Sequence, residues 1–111
     1  MTPAQFTKLA LSMPGAEEHS HGGHPDFRLA GKGKIFATVQ PDKGLAMVQI
    51  SVEQQAALVE QDPDVFVLFG GWSKYGATGI VLADADPKLV KALVREAFDH
   101  VSASVKPKKK K

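Results

Sequence analysis

Apolar positions along this chain recur in two periods, and the points where the period changes mark its elements. Phe6, Leu9, Ala10 and Met13 fall three or four residues apart, the spacing of one helical face. Thr2 stands before them as a cap, with Pro3 at the first helical position and Gln5 three residues after the cap. Pro14-Gly15 ends the run. After a polar stretch, Phe27 to Ala30 reads as a short strand, Ile35 to Gln40 as a second and Leu45 to Ile50 as a third. Gly31-Lys32-Gly33 and Pro41-Asp42-Lys43-Gly44 are the turns between them, because glycine takes positive φ freely and proline and aspartate favour turns. Ser51 opens a second helix, with Gln54 three residues on; Val52, Ala56 and Val59 would face inward, and Asp62-Pro63 closes it. Val65 to Phe69 is wholly apolar and reads as a buried strand. The glycine-framed loop "GGWSKYG" (Gly70 to Gly76) follows, and then a fifth strand, Thr78 to Ala83. Asp86 caps and Pro87 starts a last helix whose Leu89, Val90, Leu93, Val94, Ala97, Phe98 and Val101 form a wide stripe that needs a sheet to cover.

The expected order is α-β-β-β-α-β-β-α. Strands grouped in runs, with helices elsewhere, predict an α+β single domain: a five-stranded, largely antiparallel sheet with its helices packed on one face. A chain of 111 residues suits one core. The domain is expected over residues 1–105, and 106–111 as a disordered lysine-rich tail.

Charge changes this picture more than composition does. The net charge is +2, yet five basic residues (Lys106, Lys108, Lys109, Lys110 and Lys111) stand in the last six positions. Without them nine basic residues face twelve acidic ones, a net of −3. The body is mildly acidic, and the basicity belongs to a block that its own repulsion keeps solvated. Such a block also attracts polyanions in a salt-sensitive way. Cysteine is absent, which excludes disulfides, thiolate metal sites and cysteine nucleophiles. Residues 1–20 lack a basic start followed by an apolar run, and no stretch approaches the roughly 18 apolar residues of a membrane span. The expectation is a cytoplasmic protein with no membrane contact.

The stretch "EEHSHGGHPDFR" (Glu17 to Arg28) raises the question of a metal. Zinc takes three or four ligands fixed by further hydrogen bonds. His19, His21 and His24 are the weak candidates, but two glycines intervene and His100 is distant in sequence. The ligand count favours a polar surface loop with no metal. No catalytic constellation emerges either. Ser20 beside His19 and His21 has no turn chemistry to present a nucleophile. Gly31 to Lys34 is too short for a phosphate-binding loop. Asp84 and Asp86 read as helix caps. The chain is expected not to be an enzyme and to need no cofactor.

The motifs "MPGAEE" (Met13 to Glu18), "GHPDFR" (Gly23 to Arg28), "KIFATV" (Lys34 to Val39), "AMVQI" (Ala46 to Ile50) and "GGWSKYGATGIVL" (Gly70 to Leu82) stand in this order. Together they resemble the MmcQ/YjbR family of small bacterial proteins over nearly the whole chain. The resemblance implies a fold similar to the CyaY or frataxin arrangement, and a DNA-binding role through a double-wing motif. On this chain the pattern falls on Pro14, Gly15, Pro25, Phe27, Arg28, Phe36, Trp72, Gly76 and Thr78. It brings no catalytic residues. An iron role by analogy with frataxins would need an acidic first helix, since hard cations prefer oxygen. The first helix here has no Asp or Glu and carries Lys8.

Two loops fit nucleic acid. "RLAGKGK" supplies Arg28, Lys32 and Lys34 around a hairpin tip, and "GGWSKYG" supplies Trp72, Lys74 and Tyr75. Cations meet phosphates, and an exposed aromatic stacks on a base or wedges into a groove. Lys108, Lys109, Lys110 and Lys111 would add to the attraction. Against this, the lone tryptophan of a small domain is more often a packing residue, and Arg28 could instead pair with Glu18 or Asp26. The expected partner is DNA. The alternative is another protein or a small ligand in a groove beside Trp72. Nothing in the sequence sets the oligomeric state, and whether the two loops converge depends on the fold.

Overall fold

Thr2 acts as its position requires: its hydroxyl accepts from the Gln5 N–H at 3.1 Å, and the Gln5 side chain accepts from the Thr2 N–H at 2.9 Å. This reciprocal box starts α1 (Pro3–Leu11). The computed structural model describes residues 1–21, 24–31 and 33–104, with only the main chain of His21. The expected boundary at residue 105 and the lysine tail lie outside the described residues. After α1 come β1 (Glu17–His21), β2 (His24–Arg28), β3 (Ile35–Gln40), β4 (Leu45–Gln49), α2 (Val52–Gln61), β5 (Phe66–Leu68), β6 (Ala77–Val81) and α3 (Pro87–Ser104). A 3-10 helix, Gly70–Tyr75, joins β5 to β6, and a 3-10 turn, Leu82–Asp84, follows β6.

The sheet has the order β1-β2-β3-β4-β6-β5, antiparallel at every junction. The α+β reading holds, with six strands where five were expected. The added strand is β1, "EEHSH", expected to be loop. It has no apolar alternation and is a strand because β2 pairs with it along its length, from Glu17 opposite Arg28 to His21 opposite His24.

Phe6, Phe27, Phe36, Val39, Val48, Ile80, Val90 and Val94 are fully buried in one core. Each buried side chain of this size stabilises the fold by about 1.5–3 kcal/mol. α1 and α3 pack against β3 and β4, and the α3 stripe buries Val90, Leu93, Val94, Ala97 and Val101 as expected, while Phe98 is half-buried and Leu89, expected in it too, is exposed. α2 lies against β5 and the 3-10 helix. Its inward residues correct the expectation. Gln55 and Leu58 are buried, while Val52 and Ala56 are exposed and Val59 is half-buried. α2 therefore uses the stripe three residues on from Val52, where Gln55 reaches the Ser73 and Ala77 carbonyls. Asp86 caps α3 by accepting from the Lys88 N–H at 3.0 Å. Asp84 lies in the 3-10 turn and caps nothing.

The pleat sends alternate residues to opposite faces. Ala37 and Val48, paired in register, belong to the helix-covered core. The neighbouring rung, Thr38 opposite Met47 opposite Gly79 opposite Val67, therefore lies on the helix-free face. Among the described residues no helix is long and apolar enough to cross a membrane.

Candidate functional site

Strand direction decides where the loops go. β2 ends and β3 begins at one end of the sheet. β4 runs back to that end, α2 returns the chain to the other, and β5 rises again into the 3-10 helix. The β2–β3 hairpin and the "GGWSKYG" segment thus share one end, which we call the tryptophan end. Gln49, the last residue of β4, pairs with Ala77, the first of β6, there as well. The convergence that the sequence left open is met: Lys34, Ile35, Gln49, Trp72, Tyr75 and His100 line one hollow of about 300 Å³. The last turn of α3, with Val101 and Ser104, closes its side.

The Trp72 segment is shaped by its own sequence. Gly70 (φ +56°) opens it and Gly76 (φ +98°) closes it, both in the left-handed region. In a 3-10 helix residues three apart eclipse. Trp72 and Tyr75 are three apart, and their rings lie 6.3 Å apart, inclined at 50°. Lys74 places its Nζ 5.3 Å from the Tyr75 ring centre, within cation–π range. Trp72 is 68% exposed and Tyr75 59% exposed. The packing role expected of a lone tryptophan is overturned, because a two-turn 3-10 helix bounded by glycines lifts the indole off the core.

The support beneath these exposed rings is rigid. Gln55, buried, donates through Nε2 to the Ser73 carbonyl at 3.0 Å and the Ala77 carbonyl at 2.9 Å. Gln49 Nε2 donates to the Tyr75 carbonyl at 2.5 Å. Gly76 donates to Ser73 and accepts from the Ile50 N–H and the Thr78 hydroxyl. A β-carbon on Gly76 would stand 1.8 Å from the Ile50 carbonyl oxygen. Sequence reasoning missed Gln49 and Gln55; a glutamine among the apolar positions of α2 was the available signal.

Against the helix-free face, Trp72 and Phe69 complete a second hollow of about 320 Å³ with Ile35, Thr38, Met47 and Gln49. The lining is mainly apolar. The two hollows share Ile35, Gln49 and Trp72, so they adjoin.

Of the cations expected here, Lys34 closes the hairpin through its carbonyl, which accepts from the Leu29 N–H at 2.9 Å. Lys34 and Lys74 have no carboxylate within ion-pair distance among the described residues. Arg28 is different. Its Nε lies 2.8 Å from Asp26 Oδ1 and its Nη2 3.3 Å from Oδ2, a two-point pair in which Asp26 is buried. Hydrogen bonding to Asp26 raises the Arg28 pKa above its ordinary value. Of the two roles the sequence left open for Arg28, the structure shows the pairing with Asp26. Lys32, Lys108, Lys109, Lys110 and Lys111 lie outside the described residues.

His19 pairs with Glu17 at 3.5 Å and stands opposite Asp26; His24 stands opposite His21 in β1. Among the described residues no group of three or more His, Cys, Asp or Glu is placed to hold a metal ion.

The architecture is that of an α+β domain whose six-stranded antiparallel sheet carries helices on one face and an aromatic-basic loop cluster at one end. The chain belongs to the YjbR family, whose model matches residues 11–100. Its fold is similar to the crystal structure of Deinococcus radiodurans protein DR2400, a DUF419-domain protein, with a TM-score of 0.85 at 14% identity. That likeness covers 96% of this chain and 83% of the other. No curated protein matches the chain.

Proposed function

We propose that this protein is a low-specificity DNA-binding protein, not an enzyme, and that the tryptophan end is its contact surface. The observation that carries this is the placement of two ammonium groups, Lys34 and Lys74, neither ion-paired among the described residues, at one end of the sheet beside the exposed Trp72–Tyr75 pair. Phosphate contacts position a protein on DNA, and an exposed aromatic adds a base contact that tolerates any sequence. With Arg28 held by Asp26, the described cations left at the tryptophan end for phosphate are Lys34 and Lys74.

A salt titration of DNA affinity tests this on the full chain with Lys106, Lys108, Lys109, Lys110 and Lys111 changed to serine. Two phosphate contacts give log K a slope of about −2 against log salt on duplex DNA. Changing Lys34 and Lys74 to glutamine as well should remove most of that slope. If the tail-neutral protein shows no DNA association at low salt, the loops are not a binding surface.

The apolar hollow against Thr38 and Met47 favours a second reading, a small apolar ligand or a protein side chain seated beside Trp72. Such binding would be insensitive to salt.

A further inference from the structure

Trp72 is a wall common to two adjoining hollows, and their linings differ. On the helix-free face the hollow is floored by Thr38 and Met47 and roofed by Phe69 and Trp72. Around the end of the sheet it continues past Ile35 and Gln49 to Lys34, Tyr75 and His100. The two together form one continuous channel-like depression, mainly apolar at one end and bearing Lys34 at the other. Its polar atoms sit where they can reach a ligand's edge. Thr38, a half-buried residue, lines the hollow, and Gln49, whose amide nitrogen is engaged by Tyr75, keeps its amide oxygen.

We propose that this channel takes unpaired bases of single-stranded DNA, a proposal that rests on the DNA-binding reading and narrows it. Paired and stacked bases of a duplex cannot enter a hollow of about 320 Å³. An unpaired base can, offering its π-face to the indole and its edge to Thr38 and Gln49, while the adjoining phosphates meet Lys34 and Lys74. A wing that grips a duplex works through cations spread along the backbone. Here Arg28 is neutralised by Asp26 and the largest exposed surfaces are aromatic. Charge complementarity and the paired rings favour a short single strand over a duplex or an uncharged apolar ligand.

Trp72 is the only tryptophan, so its emission reports occupancy of the channel directly. The full-length protein is titrated with an oligothymidylate strand, an abasic strand of equal length and charge, and a duplex. The expected result is quenching of emission by oligothymidylate, with affinity roughly tenfold above the abasic strand, as stacking of one base supplies. The duplex should bind no better than the abasic strand. Thr38→Phe, which fills the floor of the channel and leaves the lysines in place, should reduce oligothymidylate affinity to the abasic level. The comparison of strands on the unaltered protein stands even if that variant folds poorly.

Equal affinity for oligothymidylate and abasic strands, with unchanged emission, overturns the proposal and leaves the DNA-binding reading intact. So does a duplex that binds more tightly than oligothymidylate. A ribo-oligouridylate that binds more tightly than oligothymidylate overturns the assignment to DNA. Absence of binding to every strand at low salt overturns the DNA-binding reading and this proposal with it.

Discussion

At the end of the sheet where β3 turns into β4, the chain places Asp42, Asp62, Asp64, Asp84 and Asp86, with Lys43 and Lys88 among them. At the tryptophan end stand Lys34 and Lys74, with Val52, Leu68, Trp72 and Tyr75 exposed. The carboxylates at this end include Glu17, on the outermost strand beside His19, and Glu53, in the first turn of α2. The domain is therefore polarised along its strands. The five aspartates and two lysines at the first end sum to −3 on their own, whereas Lys34 and Lys74 balance Glu17 and Glu53 at the other. An anionic ligand approaching the molecule meets repulsion from the aspartate end and little from the other, which orients it before contact. The lesson concerns bulk charge: it argues against nucleic acid only if charges are evenly spread, and here they are not.

The sharpest way to test that polarity is at the backbone, where each end turns on a glycine. Gly44, at the aspartate end, has φ +61° and open space where a β-carbon would go. Gly76, at the tryptophan end, has φ +98° and the Ile50 carbonyl in that space. Gly44→Ala should lose about 1 kcal/mol, the cost of a left-handed alanine. Gly76→Ala should lose about 3–5 kcal/mol, because the chain must move as well. Urea unfolding midpoints at constant slope measure both. Equal losses would mean that the junction of β4, β6 and the 3-10 helix is not the rigid support described above.

A smaller effect separates two neighbouring glutamines. Gln55 satisfies two backbone carbonyls from a buried position, and its replacement by leucine leaves both without that donor, a loss of about 1–3 kcal/mol. Amide exchange at Gly76 should quicken with it, since the Ser73 carbonyl that Gly76 uses is no longer held. Gln54, one residue earlier, bonds Glu96 at 2.9 Å in solvent. Gln54→Leu should stay within about 0.5 kcal/mol of the parent. Similar losses at both positions would deny Gln55 its clamping role.

Much of this was legible in the sequence, and the failures have separate physical causes. The α1 box, the β3 boundaries and the α3 stripe are local signals, fixed by capping chemistry and periodicity. β1 was not legible, because a polar edge strand owes its conformation to its neighbour. The face of α2 was misread because a buried glutamine looks polar until its carbonyl partners are known. Convergence of the loops was half legible: the α2 crossover adds one element between hairpins, and parity alone returns the chain to the tryptophan end. That β6 inserts between β4 and β5, bringing Gly76 beside Ile50, is a long-range choice with no local mark. Arg28 was seen with both its fates, and only the distance to Asp26 separated them.

The smallest expected effect concerns the largest side chain. Leu82, at the aspartate end, is fully buried in the core, and Leu82→Ala should lose about 2–5 kcal/mol through lost contacts and a residual cavity. Trp72 has more atoms to lose, yet it is 68% exposed, and its described ring contact is with Tyr75, itself exposed. The backbone beneath it is held by Gln49, Gln55 and Gly76, none of which depends on the indole. Trp72→Ala should therefore change stability by no more than about 0.5 kcal/mol, read from the urea midpoint of the full chain. An exposed indole that contributes so little to the fold is the expected property of a recognition residue. A loss above about 2 kcal/mol would mean instead that Trp72 holds Met47 and Phe69 against the helix-free face, and the channel it walls would be a seam of the core.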